Sequence, residues 1–310
     1  MAQVSHKSCT LRFLAIAVFA AAACFQAAAE QDGGAGTASH INAADADMAI
    51  RPTNAVETTK YMPKFGLHAY ADIESAYLCR GYIWDVRPYS AQSVDGEIDF
   101  GPFGRVDALV WTMSATSSKG TSSRMSRYAY AEIDYLIRYC YDLEITDNWK
   151  LTSGVARQWV TNPGFVGGHT VCDIQFMQSL HNPYVTPYWK VRAIHRPFDE
   201  AYWIVGAKRG FSLIEDLTFT VDFYGDLGDH RHFVNLYGST DPDRGYHGGL
   251  QALNLVLRLD YSITKNIGIF AFAGQFCLVS EDARAAVKDT KDPEARRDLT
   301  FGGAGVSIDF

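Results

Sequence analysis

The sequence predicts an all-β fold, a transmembrane antiparallel up-and-down β-barrel of about twelve strands. Three observations carry that prediction. From Phe65 onward, apolar and polar residues alternate with a period of two in segment after segment. The links between segments alternate between tight turns and long loops. The chain closes on "FGGAGVSIDF", with Ala304, Val306, Ile308 and Phe310 on one parity, so an apolar strand face runs to the last residue.

At the other end, residues 1–29 read as a secretory signal peptide. Lys7 and Arg12 precede the apolar run "FLAIAVFAAAACFQAAA", and the small residues Ala27 and Ala29 suit cleavage before Glu30. "AAAC" offers a lipoprotein alternative with Cys24 as the lipidated residue, but the Leu usual three positions earlier is missing. The apolar run is shorter than the roughly 20 residues a spanning helix needs. Residues 30–62 are poor in aromatic side chains and rich in Gly, Ala, Asp and Thr, as expected of a flexible periplasmic linker. Residues 63–310 are left for the barrel.

Composition narrows the function classes. The chain carries a net charge of −7 and has no basic patch for nucleic acid. After the signal segment no run of 18 or more apolar residues remains, so the expected spans are strands. Cys79, Cys140, Cys172 and Cys277 are far apart, in no zinc-type spacing, and each lies in a strand-like segment. They read as small buried or lipid-facing side chains, with a single disulfide bridge as the alternative that an oxidising compartment permits.

The strands are expected near 65–80, 90–101, 104–115, 126–143, 149–160, 171–181, 184–195, 200–210, 216–226, 249–263, 266–279 and 298–310. In "AEIDYLIRYCYDL", Ile133, Tyr135, Ile137, Tyr139, Tyr141 and Leu143 oppose Glu132, Asp134, Arg138 and Asp142. In "LTFTVDFYGD", Leu217, Phe219, Val221 and Phe223 oppose Thr218, Thr220, Asp222 and Tyr224. "LNLVLRLDYSI" repeats the pattern from Leu253 to Ile263. Every second link is short: "GPFG", "ITDN", "HNPY", "FSLIED" and "ITKN". The intervening links, such as "SATSSKGTSSRMS" and "SEDARAAVKDTKDPEARR", are long. Short periplasmic turns and long external loops are the pattern of an outer-membrane barrel with both termini in the periplasm. The terminal Phe310 matches the C-terminal signal by which Gram-negative barrels are recognised for insertion. The expected partners are therefore outer-membrane lipid and the assembly machinery that reads this strand.

"DIESAYLCRGYIWD", then "QSVDGEIDFGPFGRVDALVWTMS" and "YAYAEIDYLIRYCYDLEITDNWKL", resemble porins of the TorF type over about residues 65–160. The matching positions are Tyr77, Arg80 and Gly81; Asp95, Glu97 and Asp99; Trp111 and Ser114; and Glu132, Ile133 and Asp134. Cys79 and the "YIWD" after Gly81 depart from the pattern. The resemblance implies an outer-membrane porin.

Assigning the polar parity of each strand to the barrel interior places Asp72, Glu74, Asp95, Glu97, Asp99, Glu132, Asp134, Asp173, Asp222 and Asp260 there. Arg80, Arg138, Lys190, Arg192, Lys208 and Arg258 share that space. These charges either pair and fill a narrow barrel or line a conduit for small polar or ionic solutes, with a weak cation preference from the acidic excess. A structural or adhesive barrel is the alternative to a channel, and a lipid hydrolase is a further one. For the hydrolase, Ser179 with His181, and His195, are the candidates, but Gly-x-Ser-x-Gly is absent. Asp229, His230, His232, Asp241, Asp243 and His247 cluster in one loop and read as ordinary loop chemistry. The reading includes no enzyme activity, no metal and no cofactor.

Overall fold

The computed structural model describes residues 63–79, 81–115, 132–161, 170–196, 199–237, 247–289 and 296–310. The signal peptide, the linker up to residue 62 and Arg80 lie outside the described residues.

Twelve strands close into one antiparallel barrel: β1 (Lys64–Glu74), β4 (Tyr89–Asp99), β5 (Arg105–Ala115), β6 (Glu132–Thr146), β7 (Trp149–Thr161), β8 (Thr170–His181), β9 (Thr186–Arg196), β10 (Glu200–Ile214), β11 (Leu217–Gly228), β12 (Gly249–Ser262), β13 (Ile267–Leu278) and β14 (Asp298–Asp309). Neighbours in sequence are neighbours in the barrel, and β14 returns to pair with β1. The five short links named above lie at one end, the turn end; the long links lie at the other, the loop end, together with the three-residue link from Arg196 to Glu200. "GPFG" turns tightly because Gly101 and Gly104 adopt positive φ, and a Cβ on Gly104 would strike the Cys140 carbonyl.

The seam explains the terminal phenylalanine. His68 to Glu74 pair with Asp309 to Gly303, and His68 Nδ1 lies 2.5 Å from Asp309 Oδ1. Phe310 continues the ladder, its N–H donating to the Leu67 carbonyl at 2.9 Å, while its side chain stays exposed. A closed sheet leaves no unpaired edge, which is what a barrel requires in lipid.

The exterior is apolar. Leu67, Ile73, Val94, Tyr135, Ile137, Val155, Phe176, Val205, Phe223, Leu259 and Val306 are all exposed. Two outward arginines interrupt this surface. Arg157 sits over the Trp159 ring at 5.1 Å, and Arg209 over Phe211 at 5.0 Å, each laying its stem along an aromatic neighbour.

The first expected strand requires correction. Residues 65–80 do not form one strand: β1 ends at Glu74, and β2 (Tyr77–Cys79) pairs with β3 (Tyr82–Asp85) as a separate hairpin in the first loop-end link. Two helices follow in later links. Helix α1 (His230–Tyr237) is capped by Asp229, whose Oδ1 accepts from the His232 N–H at 2.7 Å. Helix α2 (Glu281–Asp289) is capped by Ser280, with Glu281 and Asp282 in its first turn.

These inserts supply an apolar core that sits inside the barrel. Ala76, Leu78 and Ile83 of the hairpin segment, Phe233 of α1, and Ala283 and Val287 of α2 cluster with Val256, Phe270, Phe272, Phe276, Leu278 and Phe301 from the inward face of β12–β14. Burying each large apolar side chain there stabilises the inserts by about 1.5–3 kcal/mol. Three glycines make room: Phe301 lies opposite Gly274, Phe272 opposite Gly303 and Phe270 opposite Gly305. A Cβ on any of them would collide with that ring.

The cysteines divide between the two readings. Cys277, 2% exposed beside this core, is disulfide-bonded, whereas Cys140 and Cys172 are free thiols.

Candidate functional site: the barrel interior

The period-two pattern decides which side chains enter the bore. On β1, His68, Tyr70, Asp72 and Glu74 are inward; on β4, Tyr89, Ala91, Ser93, Asp95, Glu97 and Asp99. On β6, buried Glu132, Asp134, Leu136, Arg138 and Cys140 alternate with outward Ile133, Tyr135, Ile137 and Tyr139. Asp173 on β8, Lys190 and Arg192 on β9, Lys208 on β10, Asp222 on β11, and Arg258 and Asp260 on β12 occupy the same inward parity. By this parity the charged residues named above lie on the inward faces of their strands, and Arg80 lies outside the described residues.

Contacts divide the bore into levels. In the middle, Arg192 donates to Asp173 at 2.6 and 3.0 Å and to Gln158 Oε1 at 2.7 Å. Gln158 donates onward to Asp134 at 2.6 Å, and Gln175 donates to both Gln158 and Asp173. Arg192, Gln158 and Gln175 are each 0% exposed. On the adjacent wall Arg138 pairs with Asp107 at 2.6 Å, both buried. Such pairs offset the cost of removing charge from water only when their geometry is good, and these are short and hydrogen-bonded.

Towards the turn end the charges are half-buried rather than sealed. Asp95, Glu97, Asp99, Arg105, Asp142, Lys150, Lys208 and Asp260 form a polar vestibule. Its ion pairs are looser: Arg105 to Asp142 at 3.5 Å, Arg105 to Glu97 at 3.8 Å and Lys150 to Asp142 at 3.3 Å. Across the bore, Arg258 grips Asp260 at 2.7 Å and lies 4.0 Å from the centre of the Phe270 ring. Tyr188 donates to Asp222 at 2.9 Å and carries Lys208 over its ring at 5.9 Å.

At the loop end the bore is filled. Tyr77 of the hairpin donates to Glu132 of β6 at 2.8 Å and packs on Tyr89 and Trp111. Under α1, His232 lies 3.3 Å from Glu200 and stacks on Tyr202, whose hydroxyl donates to Asp226 at 2.7 Å. Asn254 donates to the second Asp226 oxygen at 2.5 Å. Asp229 and His232 are thus occupied in capping and packing, and Asp241 and Asp243 lie outside the described residues.

Arg105, Asp107, Lys150, Gln158, Gln175, Glu200 and Asp226 belong to the interior but were absent from the sequence assignment, whereas Asp142 and Asn254 lie on the polar parity read there. The signal for Arg105 and Asp107 was present: "RVDALVW" alternates them with Val106, Ala108 and Val110. The Ser179–His181 pair does form, with Oγ and Nε2 2.8 Å apart at the turn end of β8. Among the described residues no carboxylate bonds to His181, so the acid of a triad is lacking.

No family model matches the chain, and no curated protein matches it. Solved structures with a similar barrel include the KdgM porin in complex with disordered oligogalacturonate, at 8% identity and TM-score 0.45, covering 79% of this chain and 99% of that one. An outer membrane channel from Pseudomonas putida is similar at 8% identity and TM-score 0.47, covering 84% of this chain and 100% of that one. The NanC porin is similar at 10% identity and TM-score 0.44, covering 78% and 98%. At these scores the likeness carries no functional weight.

Proposed function

We propose that this chain is an outer-membrane channel for small polar or ionic solutes, with a weak preference for cations and no catalytic role. The observation that carries the reading is the polar vestibule. Asp95, Glu97, Asp99, Arg105, Asp142, Lys150, Lys208 and Asp260 are half-buried inside a barrel whose outside is apolar. Charge held in the bore of such a barrel selects solutes, whereas the same charge facing lipid would cost roughly 2–4 kcal/mol per Arg or Lys near the midplane. On this reading the turn end is periplasmic, residues 1–29 export the chain, and the strand ending at Phe310 engages the insertion machinery.

A plugged structural or adhesive barrel is the second reading, favoured by the complete burial of Arg192, Gln158 and Gln175 and by the apolar core at the loop end. Planar-bilayer recording of purified protein separates the two. A channel gives discrete conductance steps with a reversal potential displaced towards cation selectivity in a salt gradient. Persistent silence from folded barrel removes the channel reading.

A further inference from the structure

The half-buried charges of the vestibule are not spread evenly around the wall. Asp95, Glu97 and Asp99 occupy successive inward positions on β4. Lys208 stands on β10, and in the closed order of twelve strands β4 and β10 are six steps apart whichever way the wall is followed. They therefore face each other across the bore. Lys150 on β7 and His181 on β8 stand on the Lys208 side. One level holds both groups: His181 feels the charges of Arg105, Asp142, Lys150 and Lys208, and Arg105 in turn lies 3.8 Å from Glu97.

The two sides present opposite fields. Three cations and one carboxylate bear on His181, whose Nε2 lies 2.8 Å from the Ser179 hydroxyl. Asp222, beside Lys208 in register, is engaged by the Tyr188 hydroxyl at 2.9 Å. A hydroxyl and two ammonium groups facing water suit a carboxylate. On the other side Asp107 of β5 stands in register with Glu97 and adds a fourth carboxylate, offset in part by Arg105 and Arg138. Bonding capacity of both signs is left over. Asp95 Oδ1 is buried and accepts no hydrogen bond, and Nε and Nη2 of Arg105 are buried and donate none. Such atoms are costly unless a polar group in the bore meets them.

We propose that the vestibule selects zwitterionic solutes of the amino-acid class, with the ammonium turned towards Asp95, Glu97 and Asp99 on β4 and the carboxylate towards Lys150 and Lys208 on the facing side. The inference rests on the channel reading above and names its substrate class. A dipolar solute gains from both sides at once, whereas a simple ion is drawn to one and repelled by the other. The net acidic excess and the opposed placement are separate properties. The first sets the reversal potential for salt, and the second sets the entry of a solute whose net charge is zero.

The test is the swelling of proteoliposomes in isosmotic alanine and in lactamide, its uncharged isomer. Each protein is first shown to be folded by heat-modifiable migration. The two probes share composition and size, so the ratio of their rates reads charge separation alone. Wild type is expected to admit alanine about threefold faster than lactamide. Two double variants remove one side each: Glu97→Gln with Asp99→Asn, and Lys150→Gln with Lys208→Gln. Both are expected to bring the ratio towards unity. If one of them does not fold, the other and the wild-type ratio decide. Equal rates in wild type, or slower alanine, overturn the proposal and leave the channel standing. A ratio that survives in either folded variant does the same, because a single charged side would then suffice. Entry of neither isomer through folded barrels removes the channel and this proposal with it.

Discussion

Replacing Leu257 by Arg is the sharpest check that the apolar exterior sits in lipid. Leu257 faces outward near the middle of β12, between Val221 of β11 and Ala273 of β13. Ile263, in the following turn, is also outward and is 53% exposed. A tilted strand climbs about 2.6 Å per residue along the membrane normal, so Leu257 lies about 4 Å from the strand's midpoint and Ile263 about 20 Å. Half of the apolar band is only about 12 Å, which leaves Ile263 in the headgroup region. Arg at the midplane costs roughly 2–4 kcal/mol, whereas near the interface it costs about 0–1 kcal/mol. Leu257→Arg is thus expected to lower the folding equilibrium roughly 30- to 700-fold, and Ile263→Arg by no more than about fivefold. Urea titration of barrels folded into vesicles, followed by heat-modifiable gel migration, measures both. A Leu257→Arg cost no greater than that of Ile263→Arg would defeat the membrane assignment, because a water-soluble barrel has no depth to sense.

Other expectations follow from the seam and the bore. Phe310→Asp leaves the backbone pairing with Leu67 possible but removes the terminal aromatic, so outer-membrane yield falls while signal cleavage proceeds normally; fractionation and immunoblotting read this. The triple change Asp95→Asn, Glu97→Gln and Asp99→Asn lowers cation over anion permeability modestly and keeps conductance, most visibly at low salt; an unchanged reversal potential would reject the acidic-excess argument. Arg192→Ala strands Asp173 inside the barrel and costs about 3–5 kcal/mol in urea unfolding. Adding Asp173→Asn recovers part of that loss, and strict additivity of the two changes would contradict their coupling.

Much of the wall was legible because the alternation has large amplitude there. Tyr135 beside Asp134, or Phe223 beside Asp222, leaves only one face for lipid. The same logic fails where both parities are apolar. In "IFAFAGQF", small Ala271 and Ala273 face outward while Phe270, Phe272 and Phe276 enter the bore. Alternation between Ala and Phe does not say which side is wet, and the deciding factor is the remote set of inserts that these rings receive. The missing break after Glu74 has a related cause. "SAYLC" is a short apolar run that still reads as strand, so nothing local signals that the chain has turned into the bore. Asn254 shows a third limit: its polar parity was legible, but its sealing against Asp226 beneath α1 was not.

The β2–β3 hairpin also constrains the order in which the molecule is made. Its Gly81 turn rests on Gln251, 170 residues later in the chain. Bringing such distant segments together carries a loop-closure cost that local hairpins avoid. That seat does not exist until β11 and β12 stand side by side, and its opposite wall is fixed only when β14 zips onto β1. The hairpin, made among the first parts of the barrel, is therefore among the last to be seated. A barrel halted before β12 is in place therefore carries the hairpin without its far seat.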